Sequence, residues 1–457
     1  MSIIALTFCK TTIVKLLNVY LSRRIDEELI AWRKEKEGKP LLIRGARQVG
    51  KSTTIRELSK QFDSFLEINF EEQRRVHNLF EGDLDPKELC DNLSILYNVP
   101  IIPGKTLLFF DEIQACIPAI SSLRFFYEKY PELHVIAAGS LLEFALAEIP
   151  SFGVGRIRSL FIYPLSFEEY LDGIGEKQLL AAKRNASLQK PLADPIHKKL
   201  LNHLKRFLVI GGMPEVVAGY AQNGNLARCE LALDDLITSL KADFAKYKKQ
   251  VPFLRISEVF DAVVQQAGGK FIFTKAATDA NHKQIKEATD LLMMAGLVIP
   301  VTHTAANGLP LGAEANAKKR KLMVLDTGIF QRLLGLTISE IVLEDDFDLI
   351  NKGAIAEQYV GLELLKSSSF YRQESLYFWH REARGSNAEV DYVIQQNADI
   401  IPIEVKSGKK GSMQSLYLFL DEKKSPYGVR VSLENYSAYD KVRVYPVYAV
   451  AELVNKA

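Results

Sequence analysis

The sequence predicts an α/β fold built on a parallel sheet, and two observations carry this prediction. The segment Gly45–Ser52 fits the pattern G-x-x-x-x-G-K-S/T of a phosphate-binding loop, which joins a strand to a helix. Between residues 41 and about 170, short apolar runs alternate with helix-like stretches, as in chains whose parallel strands are joined by helices. Strands are expected at 41–44, 65–70, 106–110, 134–138 and 160–163.

The phosphate-binding loop has the flanks that the motif needs. Leu41–Ile43 is typical of a buried strand, and Thr53–Gln61 is typical of the start of a helix. Backbone N–H groups of the loop and of the helix N-terminus then converge on the phosphates. Lys51 is expected to neutralise the β- and γ-phosphates, and Ser52 to hold Mg²⁺. The residues expected to contact the nucleotide are Gly45, Ala46, Arg47, Gln48, Val49, Gly50, Lys51, Ser52 and Thr53.

A second motif lies at the end of another predicted strand. The apolar run Leu107–Phe110 is typical of a central parallel strand covered on both faces, and Asp111 and Glu112 follow it directly. Open α/β sheets bind their ligands at the carboxyl ends of the strands. We therefore expect Asp111 to hold Mg²⁺ through water and Glu112 to orient and deprotonate the attacking water.

Two further residues are predicted to support this site. Ser140 follows the strand 134–138 and can reach the γ-phosphate or the water, although it can equally cap the helix predicted over 141–148. Arg156 follows Gly155 and can contact the γ-phosphate from the same or a neighbouring subunit. The alternative for Arg156, together with Arg158, is a solvated surface pair.

The composition limits the class of protein. The chain has 457 residues, 47% of them hydrophobic, which suits about three ordinary globular domains. The net charge of +2 gives no general attraction to nucleic acid, so any DNA contact needs a local patch. The four cysteines are not spaced as metal ligands or as disulfide pairs, so a cytoplasmic location is expected. No apolar run approaches the length of a membrane span, and residues 1–24 lack the pattern of a signal peptide.

The chain divides into five predicted parts. They are a helical N-terminal segment (1–40), the ATPase core (41–170), a helical lid (171–250), a winged-helix-like domain (251–330) and a mixed α/β domain (331–457). The winged-helix prediction rests on two helices and a β-ribbon, expected at 256–267, 282–295, 297–301 and 321–325.

Several segments together resemble the predicted AAA+ superfamily ATPases of bacteria and archaea. They are Gly45–Ser52, Leu107–Glu112, Ala138–Ser140, Gly155–Arg156, Tyr163–Tyr170, Gly211–Glu215 in the lid and Lys321–Gly328. The resemblance covers most of the chain from about residue 20 onward, and implies an AAA+-like parallel sheet that binds and hydrolyses ATP with Mg²⁺. The preference for adenine over guanine also rests on this resemblance.

A second candidate site lies near the C-terminus. Strand periodicity places Glu389 and Asp391 on one face of one strand, and Glu404 and Lys406 on one face of the next. Asp391 and Glu404 can hold Mg²⁺, while Lys406 can steady the attacking water. These residues resemble the D…E-x-K core of the restriction-endonuclease-like fold, and Glu357, on a helix predicted over 353–366, resembles its acidic helical residue. The alternatives are a surface ladder pair, or a domain that keeps this fold only for binding.

DNA is the expected partner of both C-terminal parts. His282, Lys283 and Lys286 lie near the start of a helix that a winged helix would place in the major groove, and 318–321 gives the ribbon a basic stem. A solvated charge run and a protein-docking role are equally open.

Two functions follow from the sequence. The first is a Mg²⁺-dependent AAA+-type ATPase that engages DNA and carries a nuclease-like domain. The second is a nucleotide-switched regulatory or scaffold protein whose C-terminal domain only binds DNA or protein. Either function is compatible with a homo-oligomer, which a trans-acting Arg156 would require.

Overall fold

The structure is a computed structural model that describes residues 20–149, 153, 155–247, 251–277, 281–336, 353–382, 387–406 and 413–454. The first nineteen residues of the predicted N-terminal segment lie outside these ranges. Within them, no helix is both long enough and apolar enough to cross a membrane.

Five strands of the described chain form a wholly parallel sheet in the order β2-β3-β4-β1-β5. Its strands are β1 (Leu41–Arg44), β2 (Ser64–Asn69), β3 (Thr106–Asp111), β4 (His134–Ala138) and β5 (Arg158–Phe161). All six residues of β3 are buried, as the apolar run Leu107–Phe110 at its centre predicts. The predicted α/β fold is confirmed, with β5 beginning two residues earlier than the sequence suggested, at Arg158 rather than at 160.

Helices cover both faces of this sheet and continue into the lid. The core helices are α1 (Ile25–Arg33), α2 (Lys51–Ser59), α3 (Pro86–Tyr97), α4 (Ile117–Lys129) and α5 (Leu142–Glu148). The lid helices are α6 (Phe167–Gly173), α7 (Lys177–Arg184), α8 (Asp194–Ile210), α9 (Pro214–Asn223) and α10 (Leu226–Ala242). Helix α6 begins at a capping box in which Ser166 and Glu169 satisfy each other's backbone N–H groups.

The second sheet joins the two C-terminal parts. Its strands are β6 (Val298–Thr304), β7 (Ala315–Val324), β8 (Leu376–His380), β9 (Glu389–Gln396), β10 (Asp399–Val405), β11 (Gly428–Ser432), β12 (Ser437–Tyr439) and β13 (Val442–Pro446). Their order in the described chain is β12-β13-β11-β10-β9-β8-β6-β7. The helices of this region are α11 (Phe253–Gln265), α12 (His282–Met294), α13 (Thr327–Leu333), α14 (Gly353–Ser367) and α15 (Gln414–Lys423).

The predicted ribbon of a winged helix is present, but it does not stand alone. Strands β6 and β7 pair antiparallel, and β6 also pairs in parallel with β8, in the register Val301 to Leu376. A predicted domain boundary near residue 330 therefore cuts through a continuous sheet. Pairing with β8 satisfies backbone groups that β6 would otherwise expose as an edge strand.

One apolar core connects the parts. A continuous cluster of buried side chains extends from Leu21 through the ATPase sheet and the lid to Leu453. A second cluster covers the opposite face of the first sheet, around Phe70, Phe110 and Phe126. The ATPase core, the lid and the C-terminal sheet are thus packed against one another.

Candidate ATP site and C-terminal carboxylate cluster

The phosphate-binding loop turns from β1 into α2 as the sequence predicts. Gly50, in the left-handed region with a φ of 95°, is the N-cap residue of α2. The Lys51 ammonium donates hydrogen bonds to the carbonyl oxygens of Gly45 and Ala46, at 3.0 and 2.7 Å. Burial lowers the pKa of Lys51 to about 8, against the opposing charges of Glu112 and Asp111. Without a phosphate, the Lys51 ammonium is therefore poorly solvated, and a bound phosphate would supply the negative charge that it lacks.

The residues expected to hold Mg²⁺ lie together. The Ser52 hydroxyl is 3.0 Å from both carboxylate oxygens of Asp111. Burial, reinforced by the charge of Glu112, raises the pKa of Asp111 to about 6. A hydroxyl and a carboxylate are oxygen ligands of the kind that Mg²⁺ takes, and the raised pKa indicates a position short of positive charge. This donor set fits the ion.

Glu112 is held firmly beside this pair. One of its oxygens, Oε2, accepts hydrogen bonds from the Gln114 amide at 2.7 Å, the Ser140 backbone N–H at 3.0 Å and the Ser140 hydroxyl at 2.9 Å. Burial alone would raise the pKa of Glu112, but the bonds from Gln114 and Ser140 and the charge of Lys51 lower it. The carboxyl group is therefore ionised and oriented at neutral pH.

The structure gives Ser140 a role that the sequence did not suggest. Its hydroxyl contacts Glu112, so it acts on the acid beside the nucleotide position. It is not the cap of the following helix, because α5 has Leu141 at its N-cap position and no side-chain capping bond. The capping alternative is therefore wrong.

A cavity of about 620 Å³ opens onto the loop, and it contains residues that sequence reasoning missed. Most of the predicted nucleotide contacts line it, from Arg47 to Thr53 with the exception of Val49, together with Glu112 and Ser140. The missed lining residues come from other segments: Tyr20, Leu21, Arg23, Leu165, Pro214, Glu215 and Ala218. The predicted loop residues Gly45, Ala46 and Val49 instead line a neighbouring cavity.

The segment Gly211–Glu215 brings the lid to this cavity. A Cβ on Gly212 would lie 2.2 Å from the carbonyl oxygen of Leu165, so only glycine fits there. The two backbones are joined by a 2.7 Å hydrogen bond from the Leu165 N–H to the Gly212 carbonyl. Pro214 then lies against Gly50, within 3.3 Å of where a Cβ on that glycine would stand. The sequence marked this segment as a lid signature, but not as a wall of the site.

Arg23 connects the N-terminal segment to the loop. Its guanidinium donates to the carbonyl oxygens of Val49 and Tyr163, at 3.1 and 2.7 Å, and pairs with the buried Glu169 at 3.1 Å. Burial would raise the pKa of Glu169, but Arg23 and two backbone N–H groups lower it. No sequence motif could have indicated this contact, because the partners are 26, 140 and 146 residues away.

Arg47 also leaves the loop, toward the lid. Its guanidinium pairs with Asp243, which directly follows helix α10 and is buried. Lys246 pairs with the other oxygen of the same carboxyl group at 3.1 Å. In this structure, Arg47 therefore ties the phosphate-binding loop to the end of the lid.

Arg156 lies at the edge of the sheet opposite to the loop. It precedes β5, whose first residue, Arg158, pairs with Leu41 at the start of β1, whereas the loop follows the end of β1. The two ends of β1 are roughly 10 Å apart, because a strand rises by about 3.3 Å per residue. Arg156 pairs with Glu128 near the end of α4. This position does not bring Arg156 to the nucleotide of its own subunit.

The C-terminal candidates come together, but around a lysine. The Lys321 ammonium, from β7, lies 2.6 Å from Glu389, 3.3 Å from Glu357 and 3.8 Å from Asp391. Its side chain is 6% exposed. The sequence placed Lys321 in an exposed basic stem for DNA, and this placement is wrong because the residue points inward from its strand.

Asp391, Glu404 and Lys406 are adjacent as predicted, yet their polar atoms bind protein partners. Asp391 accepts a hydrogen bond from the Val405 N–H at 2.8 Å, and the Lys406 ammonium donates to Glu404 at 2.6 Å. Within the described residues, no group of three or more His, Cys, Asp or Glu side chains is placed to hold a metal. The two residues predicted to hold Mg²⁺ therefore each have one carboxylate oxygen hydrogen-bonded to the protein itself.

Comparisons with known proteins agree with the geometry of the first site. Residues 37–171 match the family model of an AAA domain. Residues 201–340 and 352–450 match the models of two domains of unknown function, DUF8612 and DUF4143. No curated protein matches the chain.

Among solved structures, three similar chains cover 70% of this one. A Walker-type ATPase of Pyrococcus abyssi has 14% identity and a TM-score of 0.44 over 99% of its length. The ORC1 protein of Aeropyrum pernix in complex with DNA has 13% identity and a TM-score of 0.30 over 95% of its length. Drosophila ORC bound to DNA has 12% identity and a TM-score of 0.27 over 90% of the length of that chain. The solved structures carry no argument at these scores, whereas the family model finds residues 37–171 similar to an AAA domain.

Proposed function

We propose that this protein binds Mg-ATP in the cavity of about 620 Å³ above the phosphate-binding loop and hydrolyses it. One observation carries the proposal: the Ser52 hydroxyl lies 3.0 Å from Asp111 while the next residue, Glu112, is fixed by Ser140. Binding and activating elements thus share one edge of the sheet.

Each residue has a defined task in this reaction. Lys51 leaves the loop carbonyls to neutralise the β- and γ-phosphates, and Ser52 and Asp111 hold Mg²⁺. The ion supplies charge neutralisation on the transferred phosphoryl group. Glu112 orients the attacking water and accepts its proton. Gln114 and Ser140 are positioning residues, because they act through Glu112.

The test separates binding from hydrolysis. Calorimetry should detect Mg-ATP binding to the wild type, weakened about tenfold or more in Lys51→Ala, since that variant loses charge-assisted bonds to phosphate. Glu112→Gln should keep its affinity but lose about 10²–10⁴-fold in turnover. Glu143→Gln is the matched control, because Glu143 pairs with Arg44 outside the nucleotide cavity. Absence of any binding heat in folded wild type would refute the proposal.

DNA is the proposed partner of the basic surface on the C-terminal half. His282, Lys283 and Lys286 are exposed at the start of α12, and Lys318 and Lys319 are exposed on β7. Lys319 pairs with Glu382, so part of this charge is already balanced.

DNA binding has a simple test. The double variant Lys283→Ala/Lys286→Ala should weaken binding to a duplex in a salt-dependent manner and reduce DNA-stimulated ATP turnover. Lys199→Ala on α8 serves as the control, because this exposed lysine pairs with Glu176 at 2.7 Å and does not line the nucleotide cavity. An equal rate of ATP turnover by the wild type with and without DNA would refute the coupling of hydrolysis to DNA.

A nucleotide-switched regulatory or scaffold protein is the second candidate function. The contact that favours it is the ion pair between Arg47 and Asp243, because a movement of Arg47 on nucleotide binding would break or shift its contact with the end of the lid. A change of oligomer size between nucleotide-free and ATP-bound protein, without a response of turnover to DNA, would support this function.

A further inference from the structure

We propose that the Lys321 ammonium takes the place of a metal ion in the C-terminal carboxylate cluster, so that this cluster holds no metal and does not cut DNA. This inference is independent of ATP hydrolysis. It rests on the disagreement between a motif that resembles a metal-dependent nuclease and the contacts that its residues make.

The lysine comes from outside the motif. Lys321 lies on β7, at the edge of the second sheet, while its partners lie on α14 and on β9. An ammonium group has three N–H donors, and three carboxyl groups, those of Glu357, Glu389 and Asp391, lie within 3.8 Å of it. The ring of Phe378 covers it, with its centroid 5.4 Å from the nitrogen. The position at the centre of the cluster is filled and enclosed.

The remaining donor set is also engaged. One oxygen of Asp391 faces Lys321, and the other accepts the hydrogen bond from Val405. One oxygen of Glu404 receives the Lys406 ammonium. The second, Oε2, is buried and has no hydrogen-bond partner among the described residues. A divalent cation between Asp391 and Glu404 would therefore meet the positive charges of Lys321 and Lys406.

Two further lysines approach the same acids. Lys270 lies 4.0 Å from the outer acid, Glu389. Lys406 donates a hydrogen bond to Glu404 at 2.6 Å. Together with Lys321, three ammonium groups of the chain therefore face the four carboxyl groups of the cluster.

The test measures Mn²⁺ binding to the full-length, nucleotide-free protein by calorimetry and by electron paramagnetic resonance. The wild type and Asp391→Asn should bind Mn²⁺ alike, because no site in the wild type depends on Asp391. Lys321→Met, which keeps the length and apolar stem of the side chain, should gain a site at least tenfold tighter. The double variant Lys321→Met/Asp391→Asn should lose that site.

Two outcomes would overturn the proposal. One is Mn²⁺ binding in the wild type that disappears in Asp391→Asn, because the site would then accept metal beside Lys321. The other is a folded Lys321→Met that gains no site. If Lys321→Met folds only with Mn²⁺, the gain is shown by thermal melting with and without the ion. If it does not fold even then, the comparison between the wild type and Asp391→Asn decides alone.

Discussion

The two acidic clusters of this protein use similar residues and reach opposite states. In the ATP site, Lys51 donates to backbone carbonyls, and Ser52 and Glu112 line a cavity of about 620 Å³. Asp111 lies 3.0 Å from the Ser52 hydroxyl. In the C-terminal cluster, Lys321 donates directly to the carboxyl groups of Glu357 and Glu389 and fills the space between them. The first cluster opens onto a cavity, whereas the second holds a lysine of the same chain between its acids.

The difference shows what a lysine beside carboxylates signifies. A buried lysine that pairs with backbone oxygens can exchange them for phosphate oxygens, so its charge remains available to a ligand. A buried lysine that pairs with acids has its charge neutralised, and separating such a pair is costly. An acid–lysine motif therefore predicts a ligand site only where the acids are not already bound to a lysine of the same chain.

Removing one acid from each cluster should give the largest contrast. Asp111→Asn should lower ATP turnover by about 10²–10³-fold, because the ligand expected for Mg²⁺ loses its charge. Asp391→Asn should leave turnover within about twofold. The measurement is steady-state phosphate release at saturating Mg-ATP. Equal losses in the two variants would show that the clusters act together.

The same two variants test cleavage. With Mg²⁺ and supercoiled plasmid, the wild type and Asp391→Asn should both leave the DNA intact, because Lys321 holds the central position. Nicking by the wild type that disappears in Asp391→Asn would restore the nuclease assignment.

Arg23→Met should have the next largest effect, this time on stability. It leaves Glu169, whose side chain is only 13% exposed, without its ion-pair partner, which should lower the free energy of unfolding by about 3 kcal/mol. Arg184→Met is the matched control, because its side chain is 61% exposed and should cost less than about 1 kcal/mol. Urea unfolding at pH 7 compares them. Similar losses would mean that Arg23 does not join the N-terminal segment to the loop.

Lys51→Met should stabilise the nucleotide-free protein, although it removes a residue needed for ATP. The wild type must bury a charged amine, which opposes folding, and Lys51→Met removes this cost. The variant also loses the two hydrogen bonds of Lys51, so its free energy of unfolding should exceed that of the wild type by about 1–2 kcal/mol at pH 7. The pKa of Lys51 is about 8 in the folded protein and has its ordinary value of 10.5 in the unfolded chain, so the destabilisation is complete below pH 8. The advantage of Lys51→Met should shrink as pH rises from 8 to 10.5. A constant difference across this range would exclude Lys51 as its source.

The smallest expected signal concerns Arg156. Arg156 lies at the end of the sheet away from the phosphate-binding loop of its own subunit. We therefore expect it to contact the nucleotide of a neighbouring subunit. Mixing Arg156→Ala with Lys51→Ala should then restore part of the turnover that each variant lacks. Glu128→Gln, which removes the partner of Arg156, is the control and should keep most of its activity. No recovery on mixing would leave Arg156 as a surface residue.

Much of the ATP site follows from local sequence. Gly45–Ser52 directly follows β1, and Asp111–Glu112 lies at the carboxyl end of β3. Parallel strands bring their carboxyl ends to the same side of the sheet, so the proximity of the two motifs could be predicted without coordinates. The residues that sequence reasoning missed, such as Tyr20 and Pro214, reach the cavity from distant segments. Local pattern contains no information about such approaches.

The sequence by itself determined the parallel sheet, the phosphate-binding loop and the acids beside it, because strand periodicity and the loop motif are local properties. Only the tertiary structure decided that Lys321 fills the C-terminal cluster and that β6 continues the second sheet. The first depends on a lysine that lies 70 residues before Asp391 in the chain. The second depends on hydrogen bonds between strands that the chain brings together only on folding. Whether a charged residue is available to a ligand is set by its neighbours in space, and these are known only once the chain is folded.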